Sequence, residues 1–114
     1  MSMDLSISVL MDFYGELLTD KQRDTLDLYY NRDYSLAEIA QDLDISRQGV
    51  RDFIKRGEKQ LAEFEAKLGM VKKYEKISAE IAALESLLVS NRTVIAQAVI
   101  GEAEKILDSI KEEL

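Results

Sequence analysis

Between Ser46 and Gln60 the chain carries five cations, Arg47, Arg51, Lys55, Arg56 and Lys59, against two acids, Asp52 and Glu58. At helical spacing these cations share an outer side with Ser46, Gln48 and Gly49. The chemistry open to such a set is nucleic-acid recognition: arginine reads guanine edges, glutamine reads adenine, and lysine neutralises phosphate. The stripe directly follows a capped turn of helix-turn-helix length, which makes double-stranded DNA the expected partner. Ser46, Arg47, Gln48 and Arg51, nearest the helix start, are expected to face bases, and Lys55, Arg56 and Lys59 to face phosphates. Arg47 and Arg51 are like charges at i,i+4, unfavourable by a few tenths of a kcal/mol unless an anion lies nearby. Gly49 costs roughly 1 kcal/mol relative to alanine in a helix, and either admits a close backbone approach or is simply tolerated near a helix end. The plain alternative for the whole stripe is the solvated face of an ordinary helix.

Other chemistries find little support. The 114 residues contain no cysteine and no histidine, so the usual zinc ligands and the Ser-His and Cys-His nucleophiles are absent. No glycine-rich phosphate loop occurs, and the neighbouring carboxylates Glu102 with Glu104 and Glu112 with Glu113 read as solvated helix faces. The expectation is therefore a non-enzymatic protein with no cofactor and no metal. No apolar run approaches a membrane span and no leader pattern opens the chain, so no membrane insertion and a cytoplasmic location are expected. The net charge of −7 cuts against a phosphate-binding protein, but location matters more than the total. Residues 1–34 hold seven acids and three bases and residues 68–114 hold eight and six, leaving the stripe after Ser46 as the basic region.

The elements that must hold this stripe read as helices throughout, in a composition rich in Ala, Leu, Glu, Lys and Gln without proline. A first helix is expected over Asp4 to Leu17. Thr19-Asp20-Lys21-Gln22 has the form of a capping box that opens a second helix, which Asn31-Arg32-Asp33 ends. Tyr29, Tyr30 and Tyr34 could stack on bases, but at a helix end beside a core they read as packing. Ser35-Leu36-Ala37-Glu38 repeats the capping-box form and opens a short third helix ending near Asp42. The turn Asp42-Leu43-Asp44-Ile45 puts aspartate where glycine often supplies positive φ, and Ser46 is the natural N-cap of the fourth helix. Leu36, Ile39, Ala40, Leu43, Ile45, Val50, Phe53 and Ile54 would close a small core, with Ala40 at the closest approach of the two helices.

The fourth helix should run to about Leu68, with Gly69 as its C′ residue. Two further helices follow. One, Val71 to Val89, has a stripe of Val71, Tyr74, Ile77, Ile81, Leu84 and Leu88; after a turn with capping residues at Ser90–Thr93, the next carries Ile95, Val99, Ala103, Ile106, Ile110 and Leu114. Residues 1–68 thus form a helix-turn-helix domain and residues 69–114 a helical hairpin packed on it. Leu87, Val94, Ile100 and Leu107 lie off the seams, so the hairpin carries more apolar surface than one partner helix can cover, and a homodimer is expected through it. The alternative is one intramolecular six-helix core.

LTDKQRDTLDLYY followed by DYSLAEIAQDLDISRQGVRDFIKRGEKQL resembles the YlxM family of small proteins assigned to DNA binding, and the motif is similar to region four of sigma factors, which binds promoter DNA. The likeness covers residues 5 to 70, and more loosely the tail. It implies an all-α helix-turn-helix regulator encoded beside the signal recognition particle GTPase, with a part in that pathway. By position it places Ser46, Arg47, Gln48, Arg51 and Lys55 at the DNA-facing sites. Asp44, Gly49 and the acidic total depart from a strong sigma-like binder. An adaptor for protein or RNA components of the signal recognition particle, built on the same scaffold, is the competing expectation.

Overall fold

The computed structural model describes residues 6–114, in which every regular element is helical. In chain order these are α1 (Ile7–Tyr14), a 3₁₀ turn (Gly15–Leu17), α2 (Asp20–Tyr30), α3 (Leu36–Leu43), α4 (Arg47–Leu68), α5 (Met70–Ser90) and α6 (Gln97–Glu113). The all-α expectation holds. Two compact units result, one ending at Val71 and the other spanning Lys72–Leu114.

In the first unit α1, α2 and α3 all pack on α4. The core joins Leu10, Tyr14, Leu18, Leu26, Ile39, Ala40, Val50, Ile54, Leu61 and Val71. The caps that frame α2, α3 and α4 are local and form as their sequences indicate. Thr19 Oγ1 accepts from the Gln22 N–H at 3.2 Å, although the Gln22 side chain meets the Thr19 hydroxyl and not its backbone. Ser35 and Glu38 make the full reciprocal box, and the N–H donated by Ser35 holds the Glu38 carboxyl below its ordinary value. The first helix departs from expectation: Asp4 and Leu5 lie outside the described residues, Ser6 caps α1, and the helix stops at Tyr14. Gly15 weakens it just where Leu18 must become extended ahead of the Thr19 cap, and a 3₁₀ turn bridges the two.

Gly57 explains why α2 and α4 lie so close. A Cβ there would stand 2.7 Å from Leu26 Cδ1 and 3.3 Å from Leu26 Cγ, and Leu26 is itself 1% exposed. At the other end of α4, Gly69 takes φ 60° and α5 begins without a capping residue of its own. Its first N–H groups are met from elsewhere: Met70 donates to the Tyr14 hydroxyl at 3.0 Å and Val71 to Glu65 Oε1 at 3.1 Å. Tyr14 in turn donates to Glu65 at 2.5 Å, and burial followed by this contact raises its hydroxyl pKa.

The second unit is an antiparallel hairpin, spanned by two exposed ion pairs, Arg92 with Glu104 at 3.4 Å and Lys111 with Glu85 at 2.6 Å. Its seam differs from expectation. Ile100 and Leu107 are the buried residues of α6, while Val99, Ile106 and Ile110 remain exposed. Both sets recur at three-to-four spacing, and it is the shorter one that is buried. The connection also shifts: residues 91–95 turn, and α6 starts at Gln97 behind Ala96, which makes no side-chain cap, so Ser90 to Thr93 do not open the helix.

Candidate nucleic-acid interface

The two helices of the motif are joined by a turn whose geometry is set at Asp44, in the left-handed region at φ 57° and ψ 46°. Its N–H closes α3 onto Ala40 and Gln41, and the Ile45 N–H returns to the Ala40 carbonyl at 3.1 Å. Aspartate thus does what glycine does in many such turns. Ser46 follows in extended conformation and accepts from the Gly49 N–H at 3.0 Å, which starts α4. Ile39, Val50 and Ile54 are buried between the helices and Ala40 is nearly so; Ile45 and Phe53 are less covered than a core position.

α4 therefore presents one side to the core, through Val50, Ile54, Gly57 and Leu61, and the opposite side to solvent. Ser46, Arg47, Gln48, Arg51, Lys55, Arg56 and Lys59 are all exposed, and Gly49 is half-buried. At about 100° per residue Gln48, Asp52, Lys55 and Lys59 form the outer crest, Arg47 and Arg51 one flank, and Arg56 the other. Arg47, Arg51, Lys55, Arg56 and Lys59 have no ion-pair partner among the described residues. The other arginines of this unit do: Arg23 pairs with Asp20 and Arg32 with Asp27. In a chain of net charge −7, leaving the α4 cations unpaired keeps a local positive field on this side.

Several details lie beyond what spacing conveys. Gln48 Nε2 donates to Asp52 Oδ1 at 3.0 Å, an i,i+4 contact along the crest. The Gly49 question receives a local answer, since a Cβ there would stand 3.2 Å from Ser46 Oγ and against Ile45; the glycine makes room for the cap. Tyr30 and Tyr34 pack against the core, as expected of them, and Tyr29 meets Tyr30 edge-on at 5.0 Å. Tyr30 donates to the Glu58 carboxylate, and burial raises the Glu58 pKa. Beside them a crevice of about 380 Å³ is lined by Tyr29, Tyr30, Leu36, Arg51, Lys55 and Glu58. Lys21, at the start of α2, is a cation that the spacing of α4 could not reveal: its Nζ stands 5.8 Å from the centre of the Phe53 ring.

The capped turn, the left-handed aspartate and the exposed basic second helix define an all-α protein of the helix-turn-helix class. The particular family follows from comparison with known proteins: residues 1–100 match the family described as "Putative helix-turn-helix protein, YlxM / p13 like", and the chain belongs to it. Among curated relatives, the UPF0122 protein of Acetivibrio thermocellus is 46% identical over 107 residues, covering 94% of this chain and 89% of the relative. That of Halalkalibacterium halodurans is 44% identical over 106 residues, 93% of this chain and 92% of the relative. A Thermoanaerobacter relative is 58% identical over 73 residues, and this stretch spans 62% of that protein's length. No helix among the described residues is long and apolar enough to cross a membrane.

Proposed function

We propose that this protein is a cytoplasmic regulator that binds double-stranded DNA by laying the N-terminal half of α4 in the major groove, and that it acts by binding and not by catalysis. The observation that carries the reading is that Arg47, Arg51, Lys55, Arg56 and Lys59 are all exposed and have no ion-pair partner among the described residues, in an acidic protein. Arg47, Gln48 and Arg51 would read bases, and Lys55, Arg56 and Lys59 would meet phosphates. A fluorescence anisotropy titration over selected DNA sequences tests it. Replacing Arg47 and Arg51 together by alanine should weaken binding at least tenfold, since a good base contact contributes about 1–3 kcal/mol. Equal binding by the double variant and the parent would remove α4 as the reading helix.

The binding unit is proposed to be a homodimer formed through the α5–α6 hairpin. Ile77 and Leu84 on α5, and Val99, Ile106 and Ile110 on α6, are exposed; each set lies to the same hand of its seam, and the antiparallel sense turns both to one side of the hairpin. Full burial of such a side chain at about 3 kcal/mol and 25 cal/mol per Å² corresponds to roughly 120 Å². Half of that from each of these residues and Leu114 makes an apolar patch of several hundred Å², the scale of a dimer's central patch. Ile106→Glu should give a monomer by light scattering at micromolar concentration, and a wild type that is already monomeric would dispose of the dimer.

The same apolar face, together with the acidic total, favours a second reading as an adaptor for protein or RNA components of the signal recognition particle. Recovering the protein from cells and identifying what accompanies it separates the two: DNA fragments support the first, and particle components without DNA support the second.

A further inference from the structure

Arg56 and Lys59 belong to the unpaired stripe, and the structure brings a third cation, from another helix, to the aromatic ring that Arg56 meets. Lys21, in the first turn of α2, places its Nζ 5.8 Å from the Phe53 ring centre, and the Arg56 guanidinium lies 5.4 Å from the same centre. Phe53, Arg56 and Lys59 line an open groove of about 430 Å³ with Thr19, Gln22 and Gln60; Glu63, which also lines it, is its one acid. Lys21 has no ion pair among the described residues, although Asp20 and Asp24 are close in sequence; both of these pair with Arg23. Two like charges from two helices thus stand at one aromatic ring, and a third, Lys59, lines the groove beside it. The ring's negative face attracts the two cations nearest it and limits how far they spread.

We infer that Lys21, Arg56 and Lys59 form a phosphate subsite on the flank of α4 away from Arg47 and Arg51, and that its ligand is the sugar-phosphate backbone of the DNA strand bordering the groove into which α4 is laid. The inference rests on the DNA-binding reading and extends it to α2. A helix seated in the major groove has a phosphate wall on either side, and cations on only one flank would leave the other wall unmet. Lys55 and Lys59 occupy the crest, Arg51 one flank, and Arg56 with Lys21 the other, so both walls meet positive charge. Phe53 acts here as a positioning residue, keeping the Lys21 and Arg56 heads together at the groove edge.

The test is the salt dependence of binding by the full chain. Each phosphate contact contributes close to one unit to the slope of log affinity against log salt. Lys21→Gln should lower that slope by about one and weaken binding roughly tenfold at 0.1 M salt, by the same factor on every DNA sequence tried. Lys21→Arg should restore the slope, and Lys73→Gln, in the second unit, should leave it unchanged. Gln48→Ala should do the converse, altering sequence preference at constant slope. If the wild type binds DNA and Lys21→Gln keeps the parent slope, the subsite is wrong while the recognition helix stands. Absence of DNA binding by the wild type would overturn both together.

Discussion

Gly57→Ala tests how the reading helix is held. A Cβ at this position would approach Leu26 Cδ1 to 2.7 Å, about 1 Å inside an ordinary carbon contact. Relief requires the Leu26 side chain to shift, and Leu26 is 1% exposed, on the core-facing side of α2. Two effects oppose each other. Alanine in a helix interior is favoured over glycine by about 1 kcal/mol, while overpacking a core costs about 1–3 kcal/mol. With an overlap this large the second should win, for a net loss of up to about 2 kcal/mol. In thermal unfolding that corresponds to a fall of about 4–8 °C per kcal/mol for a domain this size. The decisive arm uses Leu26→Ala, which alone should cost about 2–5 kcal/mol through the cavity it leaves. In that background the obstruction is gone, and Gly57→Ala should change sign and stabilise by up to about 1 kcal/mol. Should Gly57→Ala leave the melting temperature unchanged or raise it in the otherwise wild-type chain, the close approach of α2 to α4 would not be what glycine provides.

Asp44→Gly should be neutral or stabilise by up to about 1 kcal/mol in denaturant unfolding, because glycine adopts φ 57° without the Cβ conflict, whereas Asp44→Val should lose more than 1 kcal/mol. Tyr14→Phe removes the donor to Glu65 and the acceptor of the Met70 N–H; a loss of about 1–3 kcal/mol is expected, with faster hydrogen exchange at the Met70 and Val71 amides. Glu58 has a raised pKa, so its neutral form is favoured in the folded state and stability from this group falls as pH rises through the folded value. Glu58→Gln, which keeps an acceptor for Tyr30, should therefore be more stable than the parent at pH 7, with the difference closing below the ordinary carboxyl value of 4.5; a constant difference across that range would exclude the titration as its source.

What could be read from the sequence was what neighbours in sequence decide. Ser35 with Glu38, Ser46 with the Gly49 N–H, the left-handed Asp44 and the C-terminal Gly69 each involve partners within a few residues, so their side-chain types indicated their geometry. Gly57 gave no such sign, since the residue that demands it is Leu26 on another helix. The same holds for Lys21, whose association with Phe53 depends on how α2 crosses α4. In α6 the periodicity pointed to the stripe through Val99, Ile106 and Ile110 and left Ile100 and Leu107 off the seam. Val99, Ile106 and Ile110 make the longer stripe, yet Ile100 and Leu107 are buried, a choice made by packing between residues far apart in sequence.

These separations bear on how the DNA-binding reading can be tested. The inward residues Val50, Ile54, Gly57 and Leu61 are gripped by three helices at once, so α4 has one rotational setting. Turning it by one residue, about 100°, would bring Arg51 towards the core and Val50 out to solvent, a cost no surface contact could offset. The outward residues therefore inherit their orientation from the core and contribute little to it. Substitutions at Arg47, Gln48, Arg51, Lys55 or Lys59 should change stability by no more than about 0.5 kcal/mol, as exposed positions usually do. A loss of DNA affinity in such variants, at unchanged melting temperature, would then report contact with the ligand and not damage to the scaffold. Gly57→Ala supplies the complementary control, because it perturbs the grip on α4 without touching one outward cation. If it weakened DNA binding as much as the Arg47 and Arg51 double variant while most molecules remained folded, the setting of α4 would matter to recognition as much as the charges it carries.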